Sequence, residues 1–181
     1  MHMRRVFLRR LVPFLGLLLL ALAGCRTQPG IPANAFGHPL PALIAERLRL
    51  ARDVAWTKFH SGAPVLDPVR EDALKASFVE QARARGLDPH RAAAFITAQL
   101  DASRAVQSEL LLAWENPAAR PAHPPRDLAS DLRPALTALT PRLIAALPPA
   151  PRQDLAAATS RILELDGFSP AVIALATAPL R

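Results

Sequence analysis

Cysteine occurs once in the 181 residues, at Cys25, and tyrosine does not occur at all. A single cysteine excludes an intramolecular disulfide and leaves no set of thiolates for a metal centre. Aromatic residues make up only 5% of a chain dominated by alanine and leucine, a balance that favours helix over sheet. Lysine is confined to Lys58 and Lys75, so the basic character rests on arginine. Four of the seven net positive charges belong to Arg4, Arg5, Arg9 and Arg10, in a stretch without acids. The rest is a thinly spread surface charge with no basic block interleaved with aromatics, which argues against a nucleic-acid partner. No HExxH, GxSxG, GxGxxG or phosphate-loop pattern occurs. His38, His60, His90 and His123 lack ligand spacing and read as surface histidines. Neither a cofactor nor a metal is expected.

What is present begins with an export signal. MHMRRVFLRR is followed by LVPFLGLLLLALAG, an apolar run of 14 residues that is short for a membrane span but suits a secretory signal. The junction Leu22-Ala23-Gly24-Cys25 resembles a bacterial lipobox, in which the cysteine is lipidated and becomes the new N-terminus. By the same resemblance, Arg26 in place of an aspartate favours the outer membrane. Residues 1–24 are therefore expected to be a signal peptide, with a periplasmic protein lipid-anchored at Cys25. Residues 25–37, rich in Pro, Gly and Asn without periodicity, read as a tether, and 38–181 as the folded domain.

Six helices are expected and no strand, an all-α bundle. The first runs from Pro39 or Pro41 to about His60 and is broken by Ser61-Gly62-Ala63-Pro64. Asp67-Pro68 and Asp88-Pro89 each pair an acidic cap with a proline suited to the first helical position. They start helices ending near Arg85, before Gly86, and near residue 115, before Asn116-Pro117. After the proline-rich segment 116–126, Asp127 caps a fourth helix with the stripe Leu128, Leu132, Leu136, Leu139, Leu143, Leu147; Pro134 moves its start towards Asp131 unless the proline falls in an early turn. Residues 152–165 and 170–178 complete the set.

Two seams carry polar residues where a core helix needs apolar ones. The first reads Leu40, Ile44, Arg47, Ala51, Val54, Lys58. Arg47 and Lys58 point within about 20° of each other and lie roughly 16 Å apart along the axis. Two buried, unpaired cations would cost several kcal/mol each, so this face wants an anionic partner. The third helix reads Ile96, Leu100, Ser103, Gln107, Leu110, Trp114, with two hydrogen-bonding groups one turn apart. Asp67, Arg70 and Glu71 stand at the start of the second helix.

From about Ala45 to Ile144 this set resembles the all-helical chorismate mutases. Ala45-Glu46-Arg47 with Lys58 eleven residues on, then Asp67, Arg70 and Glu71, then Ser103 with Gln107, match the family's motifs in order. The signal sequence, the tryptophan with its proline-rich loop and LRPALTALTPRL make the secreted (gamma) subclass the most similar. In that subclass a late arginine completes the pocket within one subunit; Arg133 matches it, with Arg126 and Arg120 as competitors. The resemblance also implies a homodimer. Members often tie their C-terminal helices with a disulfide, impossible here, so the last two helices are expected to hold by packing alone.

The implied reaction is the cofactor-free rearrangement of chorismate to prephenate. It is pericyclic, and it needs a dicarboxylate held in its reactive conformer with positive charge beside the breaking ether bond. Arg47, Arg70 and Arg133 would clamp the carboxylates, and Lys58 and Gln107 would donate to the ether oxygen. Asp67, Glu71 and Ser103 would orient Lys58 or receive the substrate hydroxyl. The alternatives are isochorismate-pyruvate lyase chemistry on the same fold and a non-catalytic helical lipoprotein that binds without turnover.

Overall fold

The computed structural model describes residues 37–181. The signal peptide, Cys25 and nearly all of the tether lie outside them. Six α-helices follow one another: α1 Pro39–Ser61, α2 Pro68–Arg83, α3 Pro89–Ala113, α4 Arg133–Ala146, α5 Gln153–Leu165 and α6 Pro170–Thr177, and no strand occurs among the described residues. Four of them begin alike, with a capping side chain followed by proline: His38-Pro39, Asp67-Pro68, Asp88-Pro89 and Ser169-Pro170. The cap satisfies an orphan N–H while the proline removes another and presets φ. His38, expected as a surface residue, is instead the half-buried cap of α1, its Nδ1 accepting from the Leu40 N–H at 3.3 Å.

α1 and α3 form the centre. α1 packs on α3, α4 and α5, while α3 also carries α2 and α6 on its other faces. Leu40, Ile44, Leu48, Phe78, Phe95, Leu139 and Leu143 are fully buried between them, and Phe78 stacks on Phe95 at 5.9 Å to join α2 to α3. At the far end of α1, Trp56 packs edge-on against Trp114, with Phe59 alongside.

Two junctions place the residues of interest. Gly62, at φ 68, donates its N–H to the Lys58 carbonyl at 2.9 Å and ends α1 in a left-handed turn that a side chain would strain. The chain then folds back so that the Val65 carbonyl accepts from Lys58 Nζ at 2.8 Å. Near α4, Asp127 caps as expected, accepting from the Ala129 and Ser130 N–H groups at 2.8 and 2.6 Å. A wide π-helical turn over Leu128–Leu132 follows, and regular α-helix starts only at Arg133, two residues past Asp131. The wider turn lets Pro134 enter the first turn of α4 without its ring meeting a carbonyl.

The expectation that the last two helices hold by packing alone is corrected. α3 also ties them by hydrogen bonds: Gln99 Nε2 donates to the Ala176 carbonyl at 3.0 Å, and Arg91 donates to the carbonyls of Pro148 (2.9 Å) and Pro179 (3.4 Å). Arg91 thereby reaches two carbonyls outside the α-helices, Pro148 in the loop after α4 and Pro179 in the short 3-10 turn after α6.

Candidate active site

All eight residues singled out in the sequence reach one cleft. Arg47 and Lys58 come from α1, Asp67, Arg70 and Glu71 from the start of α2, Ser103 and Gln107 from α3, and Arg133 from the head of α4. Val54, Val65, Leu74, Leu100, Leu128 and Leu136 form its apolar walls. The cleft leaves about 100 Å³ for the centres of water-sized spheres and opens to solvent at its mouth.

Arginine partners separate this cleft from the rest of the surface. Elsewhere the guanidiniums are engaged: Arg49 with Asp166, Arg142 with Glu46, Arg120 with the Trp114 carbonyl, and Arg126 with both Asp53 and Asp131. Among the described residues, Arg47, Arg70 and Arg133 have neither a carboxylate nor a carbonyl partner for their side chains, a condition shared only with the exposed Arg85, just past the end of α2, and the exposed Arg181, which donates to the Thr177 hydroxyl. Nε of Arg47 and of Arg133 are buried with nothing to donate to. All three line the same cleft as Lys58. Arg126, a competitor for the late arginine, is locked by its two acids, whose hydrogen bonds raise its pKa further. Arg120, the other, lies over the Phe59 ring. Arg133 is the one of the three that lines the cleft.

Burial dominates the electrostatics. Arg47 is 4% exposed, and desolvation brings its pKa down to about 10 although the Glu71 charge opposes the drop. Lys58 is also pushed down from the ordinary lysine value, first by burial and then by Arg70 and Arg133, with Asp67 and Glu71 countering. Arg70 is lowered by burial and by the neighbouring Arg133. The cleft concentrates positive charge that its own acids do not neutralise.

The smaller groups have definite places. Asp67 accepts from the Arg70 N–H at 3.2 Å and so caps α2, which fixes the helix start that carries Arg70 and Glu71. Gln107, 5% exposed, donates from Nε2 to the Ser103 carbonyl at 3.1 Å and to Ser103 Oγ at 3.3 Å, leaving Oε1 unpartnered. A ligand oxygen would compete with Ser103 for this NH2 group. Arg104, adjacent to Ser103, was not expected here; it pairs with Glu71 and Asp101 and lines the cleft. Its i,i+3 relation to Asp101 is visible in the sequence, whereas its pairing with Glu71 is a contact between α2 and α3.

What this geometry can do is hold a compact dianion and place an ammonium beside it. No group in the cleft has the arrangement of an activated nucleophile with its base.

Comparison with known proteins identifies the family. Residues 39–108 match the family described as chorismate mutase type II. A protein of Mycolicibacterium smegmatis described as secreted chorismate mutase is 31% identical over 164 residues, covering 84% of this chain and 88% of that one. The solved structure of a chorismate mutase from Burkholderia thailandensis superposes with a TM-score of 0.70 at 32% identity, covering 82% of this chain and 99% of that one. One from Burkholderia phymatum gives 0.71 at 28% identity, covering 81% and 96%.

Proposed function

Because the chain belongs to the all-helical chorismate mutases, we propose that this cleft is where it binds chorismate and rearranges it to prephenate. The observation that carries the assignment of the site is that three guanidiniums without carboxylate or carbonyl partners, Arg47, Arg70 and Arg133, line the same cleft as Lys58. Guanidinium matches a carboxylate with two parallel donors and keeps its charge, so three of them suit a dicarboxylate. Binding both carboxylates selects the compact conformer in which the reacting carbons meet, which removes the entropic part of the barrier.

The electronic part falls to Lys58 and Gln107. As the C–O bond breaks ahead of C–C bond formation, the ether oxygen gains negative charge, and donors already aimed at it lower the barrier. Lys58 spends one of its three N–H groups on the Val65 carbonyl, which aims the ammonium and leaves two for the substrate. Asp67 holds the α2 start in place, Glu71 moderates the field around Arg47 and Lys58, and Ser103 accepts the Gln107 amide until substrate arrives. No proton is transferred, so the site works with fixed charges.

Further parts of the reading rest on the sequence and on what the relatives are called. The description of a relative as secreted supports export of this chain. A signal peptide over 1–24, a lipid anchor at Cys25 on the periplasmic side of the outer membrane, a tether to residue 37 and a homodimer complete the proposal.

The test is chorismate consumption and prephenate formation by purified residues 26–181, with Lys58→Ala as the control. The wild type should turn over chorismate, and the variant should lose on the order of 3 kcal/mol of transition-state stabilisation while remaining folded. Full turnover by a folded Lys58→Ala protein would remove Lys58 from the reaction.

A further inference from the structure

Arg104 lines the cleft yet differs from the other guanidiniums there. Nη1 donates to Glu71 Oε2 and Nη2 to Asp101 Oδ1, so both terminal nitrogens are taken by the protein's own acids. Glu71, with its side chain 12% exposed, is close enough to raise the basicity of both Arg47 and Lys58. It nevertheless forms no ion pair with either; its pairing is with Arg104. This distribution needs a cause. Arg47 is nearly fully buried with an orphaned Nε, and a dry guanidinium next to a carboxylate gains a strong charge-assisted pair by closing on it. Something must hold Glu71 back, and Arg104 is the group that grips it.

We propose that Arg104 is a positioning residue that holds Glu71 away from Arg47, so that Arg47 meets the substrate carboxylate unpaired. The inference deepens the reading of the cleft as the chorismate site and rests on it. Glu71 stays near enough for its field to ease the burial of Arg47, yet it does not compete with the substrate for the same N–H groups. Asp101 anchors Arg104 from its own helix, one turn earlier, which fixes the direction in which the guanidinium pulls. In the absence of Arg104, Glu71 would swing onto Arg47, and each substrate molecule would first have to displace it. That is a binding penalty: KM rises while the bound state, once reached, is the same.

A double-mutant cycle tests this. Arg104→Gln should raise KM for chorismate about tenfold, the equivalent of about 1.4 kcal/mol, with kcat changed little. Arg104→Lys, which retains one charged donor for Glu71, should recover most of the loss. In a Glu71→Gln background the same Arg104→Gln change should be nearly silent, because the neutral amide has no charge with which to capture Arg47. An unchanged KM in folded Arg104→Gln would overturn the proposal. So would an equal rise in KM in the Glu71→Gln background, which would mean that Arg104 touches the substrate or merely supports the fold. Should Arg104→Gln fail to fold, a rise in KM from Glu71→Gln to the double variant would still overturn the proposal. Absence of mutase turnover in the wild type would instead bring down the reading of the cleft itself.

Discussion

At the scale of single residues, the cleft sacrifices stability for charge. A pKa brought down to about 10 means that burial of the Arg47 charge costs roughly 3 kcal/mol of folding free energy. Arg47 binds its proton more weakly in the folded chain than in the unfolded one, so this cost is fully present below about pH 10 and is relieved as pH rises above it. Arg47→Met should accordingly raise the stability measured by urea unfolding at pH 7 by on the order of 1–3 kcal/mol, while turnover falls at least about a hundredfold. A destabilised variant would contradict the electrostatic cost. Gln107 makes a different prediction, about pH and activity. An amide donates at every pH, whereas a glutamate donates only when protonated. The wild type should hold kcat through the acid and neutral range, and Gln107→Glu should keep activity mainly at acid pH. A flat profile in that variant would take the Gln107 side chain away from the ether oxygen. Of these residues, Arg47, Lys58, Ser103 and Gln107 were legible in the sequence because each interrupts an apolar helical seam. Arg104 was not, since its partner Glu71 lies on another helix and no periodicity links them.

At the scale of elements, caps and turns aim the side chains. Asp67-Pro68 starts α2 so that Arg70 and Glu71 fall in its first turn, and the π-helical turn before Pro134 rotates Arg133 into the cleft. The C-terminal helices play a different part: α5 and α6 contribute nothing to the cleft lining, and Arg91 and Gln99 strap them to α3. Arg91→Leu leaves the Pro148 and Pro179 carbonyls without these donors and should cost about 1–3 kcal/mol. Amide exchange should rise in α5 and α6, and kcat should stay close to wild type. Faster exchange in α1 instead would place the strap in the central core. Helix starts were readable because proline and its capping neighbour act locally. The strap was not, because it joins side chains on one helix to carbonyls more than fifty residues away.

At the scale of the whole molecule, all eight residues assigned to the site come from one chain, and the proposed reading therefore expects a single copy to suffice for catalysis. Dilution through any dimer dissociation, followed by sedimentation, should leave specific activity constant. A fall in activity that tracks dissociation would show that a neighbouring subunit completes the site. Composition and pattern alone determined the helical class, the order of six helices and the two polar seams, because helix periodicity and proline caps depend only on residues a few positions apart. They also determined that a face carrying Arg47 and Lys58 requires an anion, since the cost of burying charge does not depend on fold. Only the tertiary structure shows that, of Arg120, Arg126 and Arg133, it is Arg133 that lines the cleft. Asp53, Asp131, the Trp114 carbonyl and the Phe59 ring engage the first two, and partners drawn from distant parts of the chain leave no trace in local spacing. The same holds for Glu71, whose place beside Arg104 was settled when α2 packed against α3.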